Sequence, residues 1–186
     1  MIEEETLISK ENYPDIQPGK KPVKRAVNKT FLFVLGRALQ SLSKHDPLIQ
    51  HEVQSWPENF TLMMKVRPNG GSVALTRTDG GRLIYRGASF DEAKADVVIF
   101  LKDVEGAFDL LTGQLGIDMG YARHCMCARG DLSNTVSVVR VLNITQAYLF
   151  PRLLARRLMK RLPPIPWGRR WGLRLKAYLL GIPFGI

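Results

Sequence analysis

FTLMMKVRPNGGSVALTRTDGGRLIYRG, residues 60–87, contains three short runs of strand-forming residues separated by two turn signals. From Phe60 to Val66, apolar side chains recur at every second position, which is the period of a half-buried β-strand. The turns fall at residues 68–71 and 78–81, where Asn-Gly and Asp-Gly pairs favour tight hairpins. The sequence therefore predicts an antiparallel three-strand meander over residues 60–67, 72–77 and 82–87. A meander alone is marginal in water, so its apolar face needs a cover.

Two helices are predicted before the meander. Thr30 is a candidate cap for a helix over residues 31–43, in which leucines at 32, 35, 39 and 42 share one face. Asp46 followed by Pro47 predicts the start of a second, shorter helix that ends at about Gln54.

The chain after the meander alternates between strands and helices. A strand over residues 95–101 is apolar on both faces, as expected for a central strand. Asp103 is predicted to cap a helix to Leu111, and a Gly-rich loop over 113–120 follows, whose spacing matches no phosphate-binding motif. A fifth strand over 124–129 leads to a long helix, which Ser133 is predicted to cap and which ends near Phe150.

Composition and length favour one domain with two extensions. The 186 residues are 45% hydrophobic and 24% charged, as in ordinary globular proteins. Residues 1–29 are rich in proline and charge and are predicted to form a disordered arm, residues 30–150 a domain, and residues 151–186 a basic extension. Neither a secretory signal nor an apolar run of membrane-spanning length is recognisable, so the expected location is the cytoplasm.

The net charge of +10 resides entirely in the last part of the chain. Residues 132–186 contain ten Lys or Arg side chains and no Asp or Glu, whereas the 17 basic and 17 acidic side chains of residues 1–131 cancel. Such an asymmetry indicates an anionic membrane surface, a nucleic acid or an acidic protein as partner.

The residues give little support for chemistry. Cys125 and Cys127, next to His124, are too closely spaced for an ordinary zinc site and are predicted to be strand residues, with a reactive thiol as the alternative. The carboxylates near residues 91–96 and 103–109 have structural explanations at helix starts and turns, and no serine lies in a nucleophile elbow. We expect no catalytic residues, no metal, no cofactor and no enzymatic activity.

One set of motifs resembles a known family. Ala95-Asp96-Val97-Val98-Ile99 precedes an acidic helix start at 102–105, then Leu110-Leu111-Thr112-Gly113, and later a strand closing on Arg129-Gly130-Asp131 before a long helix. In order and spacing these motifs resemble the sterol carrier protein type-2 family over residues 31–150. The resemblance implies an α+β fold, with a five-stranded, mostly antiparallel sheet covered on one face by helices that enclose an apolar tunnel for fatty-acyl chains, sterols or prenyl lipids.

The resemblance also implies which side chains face a lipid. Matching the last strand places Met126 and Ala128 toward the tunnel and the two cysteines on the other side. The predicted lining residues are apolar and come from strands and helices throughout the domain: Phe60, Leu62, Met64, Val73, Leu75, Leu83, Val97, Ile99, Phe108, Leu111, Met119 and Met126. The function expected is lipid binding or transfer without catalysis, and some relatives are accessory factors of isoprenoid quinone synthesis.

The extension that follows residue 150 goes beyond the usual family module and is predicted to lie on an anionic membrane surface. Leucines at 154, 158 and 162 form one stripe, and basic side chains with tryptophans are typical of interfacial helices. The candidate membrane-binding residues are the following: Arg156, Arg157, Lys160, Arg161, Trp167, Arg169, Arg170, Trp171, Arg174 and Lys176. Three alternatives stay open: a helix packed on the domain, a tail docked on a lipid-metabolising enzyme, and, less in keeping with its many apolar residues, a nucleic-acid-binding tail.

Overall fold

The computed structural model describes residues 21–150 and 171–173 of the chain. Between residues 21 and 150 there are five α-helices and five β-strands. In chain order they are α1 (Pro22–His45), α2 (Pro47–Gln54), β1 (Thr61–Val66), β2 (Gly71–Arg77), β3 (Leu83–Gly87), β4 (Val97–Leu101), α3 (Val104–Leu111), α4 (Ile117–Ala122), β5 (Met126–Arg129) and α5 (Leu132–Leu149). A short 3-10 turn, Glu92–Lys94, lies between β3 and β4.

The five strands form one sheet in the order β3-β2-β1-β4-β5. The pairs β1–β2, β2–β3 and β4–β5 are antiparallel, whereas the central pair β1–β4 is parallel. The predicted meander and the predicted α+β class with a mostly antiparallel sheet are therefore confirmed. Leu62 lies opposite Leu75 on one side and Val97 on the other, so a row of apolar side chains runs across the sheet.

The helices pack on one face of this sheet. Leu62, Leu75 and Val97 are fully buried there, in a continuous core to which α1, α2, α3 and α5 also contribute. The opposite face, called the outer face here, has a smaller buried cluster of Met63, Ala74, Val98 and Phe100, against which Phe90 and Ala95 pack. One-sided helix cover is what the alternating strand pattern demands, because only one face presents large apolar side chains throughout.

Helix α1 begins earlier than the sequence predicted. It starts at Pro22, and Thr30 lies inside it, with its hydroxyl donating to the Ala26 carbonyl at 3.1 Å instead of capping a helix. The predicted boundary of a disordered arm at residue 29 is therefore wrong for residues 22–29, while residues 1–20 lie outside the described part of the chain. Lys21 and Lys24 both form ion pairs with Glu105 of α3, and this tertiary contact holds the first turn.

Helix α1 lies very close to the sheet. A Cβ atom at Gly36 would lie 2.6 Å from Val73 Cγ2 and 2.8 Å from Tyr85 Cδ2, so only glycine allows this approach. The same helix also covers the free edge of β3, since the Ser43 hydroxyl accepts a hydrogen bond from the Leu83 amide at 3.0 Å and the Gln40 side chain accepts one from the Tyr85 amide at 3.0 Å. These contacts satisfy edge groups that would otherwise be open to another strand.

Of the four predicted helix caps, Asp46 and Asp103 are confirmed, whereas Ser133, like Thr30, is wrong. The Asp46 carboxylate accepts from the Leu48 and Ile49 amides at the start of α2, and Asp103 accepts from the Gly106 amide at the start of α3. For α5, however, the cap is Asp131, which accepts from the Asn134 amide at 2.9 Å, and Ser133 lies inside the helix. Asp and Ser are both good capping residues, and here Asp131, two positions before Ser133, caps the helix.

The segment before β5 also differs from its prediction. The Gly-rich stretch contains helix α4, and β5 begins at Met126, because His124 has a left-handed backbone with φ of 55°. Met126 is buried in the core and Cys127 is exposed, as the resemblance implied. Cys125 departs from the expectation, since it precedes the strand and packs against the main core on the helix side.

Candidate functional site

The predicted lining residues fall into two groups. Ten of the twelve are buried in the main core. The others are Phe108, which is half-buried, and Met119, which is 49% exposed. The ten pack against one another as core side chains do, and their contact with a ligand stays a prediction.

An apolar cleft of about 580 Å³ lies beside this core, between α4, β5 and the first half of α5. Its walls are mostly apolar, and the polar side chains among them are Asp118, Thr135 and Arg140. The apolar side chains are Ile117 and Tyr121 from α4, Met126 and Ala128 from β5, and Leu132, Val136 and Val139 from α5. Met126 is the predicted lining residue that reaches this cleft, and it joins the cleft to the core.

Helix α5 contributes two apolar faces, and one of them forms a wall of the cleft. Val138, Val141 and Leu142 are buried against the core. Leu132, Val136 and Val139 recur at spacings of four and three, so they form a second stripe along the helix. Leu132 is 78% exposed and Val136 is 44% exposed, which is unusual for two aliphatic side chains on one stripe. This second stripe is visible in the sequence, but that it lines a cleft depends on where α4 packs.

The opposite wall is α4, a short helix held tightly against α3. Ile117 is buried, and a Cβ atom at Gly120 would lie 2.6 Å from Leu110 Cδ2, so the helix cannot move outward without losing this close contact. Tyr121 is 65% exposed at the mouth of the cleft. An aromatic side chain with a polar tip at an apolar opening suits a boundary between water and lipid.

A second cavity of about 250 Å³ lies between α1, α3 and the end of α5. It is lined chiefly by apolar side chains, which include Phe31, Leu35, Leu111 and Phe150. Leu111 is the predicted lining residue found here. The two cavities lie at different places around the core, and the tunnel implied by the resemblance stays a prediction.

Little of the basic extension is described. Of its predicted membrane-binding residues only Trp171 falls within the described ranges, and the others lie outside them. Residues 171–173 are helical, Trp171 is 51% exposed, and Leu173 is buried as part of the main core. The extension therefore touches the domain at Leu173.

Two carboxylates of the described residues, Glu105 and Glu92, have lowered pKa values because lysines bind them. Hydrogen bonds from Lys21 and Lys24 hold the pKa of Glu105 below its ordinary value, and Lys65 lowers the pKa of Glu92 in the same way. A general acid at neutral pH would need the opposite direction. Among residues 21–150 and 171–173, no three His, Cys, Asp or Glu side chains converge as a metal site would require. No helix in those ranges has the length and apolar character needed to span a bilayer.

Comparison with known proteins finds similarity to solved structures only. No protein-family model matches the chain, and no curated protein matches it. The ubiquinone synthesis protein UbiJ-SCP2 is 13% identical with a TM-score of 0.43, covering 67% of this chain and 99% of that one. The sterol carrier protein domain 2 of Helicoverpa armigera is 18% identical with a TM-score of 0.41, covering 80% and 100%.

A third solved structure comes from Thermus thermophilus and is described as possibly a sterol carrier protein. It is 14% identical with a TM-score of 0.40, covering 73% of this chain and 90% of that one. The fold itself is established by the strand order and helix packing described above. These three solved structures are what the chain is similar to.

Proposed function

We propose that the protein binds a hydrophobic lipid, such as a fatty-acyl, sterol or prenyl lipid, in the cleft between α4, β5 and α5, and carries or presents it without catalysis. The observation that carries this proposal is the apolar cleft of about 580 Å³ whose floor, Met126, belongs to the core. Ligand sites commonly measure about 300–1,000 Å³ and combine apolar walls with a few polar groups.

The binding energy would come from apolar contact. Each Å² of apolar surface removed from water contributes about 25 cal/mol to binding. A single acyl or prenyl chain that packs along Val136, Val139 and Met126 would therefore bind with a free energy of several kcal/mol. Arg140 lies in the same walls, and its guanidinium has N–H donors for a polar lipid end beyond the Nη1 group that pairs with Glu52. Such a site selects for shape and length rather than for a detailed pattern of hydrogen bonds.

A matched pair of variants on β5 tests the proposal. Ala128→Trp places an indole in the cleft, whereas Cys127→Trp places the same side chain on the outer face of the same strand. Binding of a fluorescent fatty acid or prenyl analogue to delipidated protein should be lost in the first variant and kept in the second. Equal binding by Ala128→Trp and the wild type, with both folded, would contradict the assignment of the cleft.

Membrane docking through the basic extension is the second half of the proposal. The extension, residues 151–186, contains nine of the ten cations of the acid-free end of the chain, and its Trp171 is half exposed. These features support a peripheral contact with anionic lipid, through which the lipid of the cleft would enter or leave. Delivery of the lipid to a lipid-metabolising enzyme at that surface is the accessory role compatible with the same arrangement.

A further inference from the structure

Three cations lie around one carboxylate on the outer face of the sheet, away from the walls of the cleft. Lys65 Nζ is 2.7 Å from Glu92 Oε2, while Arg129 Nη1 and Arg67 Nη2 are 3.4 and 3.9 Å from Glu92 Oε1. Three positive charges against one negative charge leave a net charge of +2 in this group, called the outer-face cationic cluster here. Glu92 therefore neutralises only one of the three positive charges around it.

A buried aromatic ring orients the two arginines. The guanidinium carbons of Arg67 and Arg129 lie 4.2 and 5.8 Å from the centroid of the Phe100 ring, and Phe100 is only 6% exposed. In the strand register Phe100 pairs with Lys65 on β1 and with Cys127 on β5. Arg129, which pairs with Val98, and Arg67, which directly follows the end of β1, therefore approach the ring from opposite directions along β4. Stacking on a ring face leaves the in-plane N–H groups of a guanidinium available to an acceptor.

Most of those N–H groups are not used within the described part of the chain. Arg129 donates to the Glu92 carbonyl at 2.9 Å and to its carboxylate at 3.4 Å. The Arg67 guanidinium makes no hydrogen bond to any residue of 21–150 or 171–173, and its approach to Glu92 is the 3.9 Å ion pair alone. More than half of each arginine side chain is exposed. The two guanidinium groups therefore both lie within 4 Å of Glu92 Oε1, and their remaining N–H groups face solvent.

We infer that the outer-face cationic cluster binds a phosphate group, with Arg67 and Arg129 as bidentate donors and Lys65 supplying further positive charge. A phosphomonoester or a diphosphate fits the cluster best, since its two or more negative charges match the net +2 and its oxygens match the guanidinium fork. The phosphate belongs either to a lipid headgroup or to a soluble molecule. Ala128 lines the cleft and Arg129 follows it on the opposite face of edge strand β5, so a membrane lipid near the cleft would also lie near the cluster.

The site can be tested independently of the cleft with inorganic pyrophosphate as the probe. Calorimetric titration of the full chain at low ionic strength should show binding that Arg67→Gln/Arg129→Gln weakens by about tenfold or more. The matched control is Arg82→Gln/Arg123→Gln, which removes the same charge from two exposed arginines that contact neither Glu92 nor Phe100. The control should bind like the wild type. Absence of pyrophosphate binding by the wild type, or equal weakening in both double variants, would overturn the inference.

Two further measurements keep the result interpretable. The single variant Arg67→Gln removes no hydrogen bond to a described residue, so it should fold normally and still lose most of the affinity for pyrophosphate if the inference holds. Unchanged affinity for pyrophosphate would count against the inference.

Sedimentation with phosphatidic acid vesicles, compared with phosphatidylcholine vesicles, identifies the source of the phosphate. A cluster-dependent difference supports a membrane lipid, and cluster-dependent binding of pyrophosphate alone supports a soluble phosphate. Fatty-acid binding should be unchanged in every cluster variant, so failure of the cleft and failure of the cluster give different results.

Discussion

The Tyr148 hydroxyl donates a hydrogen bond to the Asp46 carboxylate, which joins the last turn of α5 to the start of α2 across 102 residues of sequence. Both residues are buried, at 1% and 0% exposed. Asp46 accepts the Leu48 and Ile49 amides with its other oxygen, so one carboxylate caps a helix and anchors another.

Tyr148→Phe should lower the free energy of unfolding by about 1–3 kcal/mol, because a buried acceptor on Asp46 loses its partner. Denaturant unfolding followed by circular dichroism measures this. Tyr121→Phe is the control, since that side chain is 65% exposed, and it should leave stability unchanged. Equal stability of all three proteins would show that the hydrogen bond contributes nothing.

Gly36→Ala should destabilise the protein by about 1–3 kcal/mol, because the added methyl group would overlap Val73 and Tyr85 and push α1 from the sheet. Gly80→Ala is the matched control, since a Cβ atom there has no neighbour within 4 Å in the described part of the chain. Thermal unfolding compares the two. A fall in melting temperature of the same size in both variants would contradict the close packing of α1.

Leu75→Ala tests whether the core or the cleft contacts the lipid. Leu75 is fully buried and does not line the cleft, so its truncation should cost about 2–5 kcal/mol of stability while lipid affinity per folded molecule is kept. Val136→Ser, on the exposed stripe of α5, should do the reverse and weaken lipid binding with little effect on unfolding. If Leu75→Ala abolished lipid binding in folded protein, the predicted tunnel through the core would be favoured over the cleft.

The contribution of Glu92 to stability should depend on pH. The hydrogen bond from Lys65, with the nearby Arg129 and Arg67, holds the pKa of Glu92 below its ordinary 4.5 in the folded protein. A group with a depressed folded pKa stabilises the protein above its unfolded pKa and loses that effect as the pH falls through the folded pKa. Glu92→Gln should therefore be less stable than the wild type at neutral pH, and the difference should shrink below about pH 4.5. A difference that is constant from neutral to strongly acidic pH would exclude this ion-pair contribution.

Vesicle binding should depend on the basic extension and on salt. Each basic residue near an anionic leaflet contributes about 1 kcal/mol, and added salt screens the attraction. Removal of residues 163–186 deletes Trp167, Trp171 and four of the nine cations of the extension, so sedimentation with anionic vesicles should fall steeply. Unchanged sedimentation after truncation would favour the alternative in which the extension packs on the domain, of which the burial of Leu173 is one contact.

Much of the fold was predictable because its signals are local. The alternation from Phe60 to Val66, the two Gly-containing turns and the caps at Asp46 and Asp103 act within a few residues, and the structure confirms each of them. The start of α1 was not predictable in this way, since its first turns depend on Glu105, some eighty residues away. The cap of α5 was misplaced because Asp131 and Ser133 are both good capping residues and local pattern does not choose between them.

The candidate site was predicted less well. A list of apolar strand residues cannot distinguish a closed core from a ligand cleft, because the same residue types form both. Of the predicted lining residues, Met126 reaches the cleft between α4, β5 and α5, and its other apolar walls, such as Leu132 and Val136, were not predicted. Their stripe along α5 was present in the sequence, but its exposure depends on where α4 packs.

By itself, the sequence determined the meander, the order of helices and strands, the resemblance to a lipid-binding family and the concentration of positive charge after residue 131. These features follow from periodicity, turn chemistry and composition, which act over short separations. Only the tertiary structure decided which apolar stripe of α5 is buried, that the cleft opens beside Met126, and that Lys65, Arg67 and Arg129 meet around Glu92. Those relationships join residues far apart in the chain, and packing between whole elements, rather than local preference, brings them together.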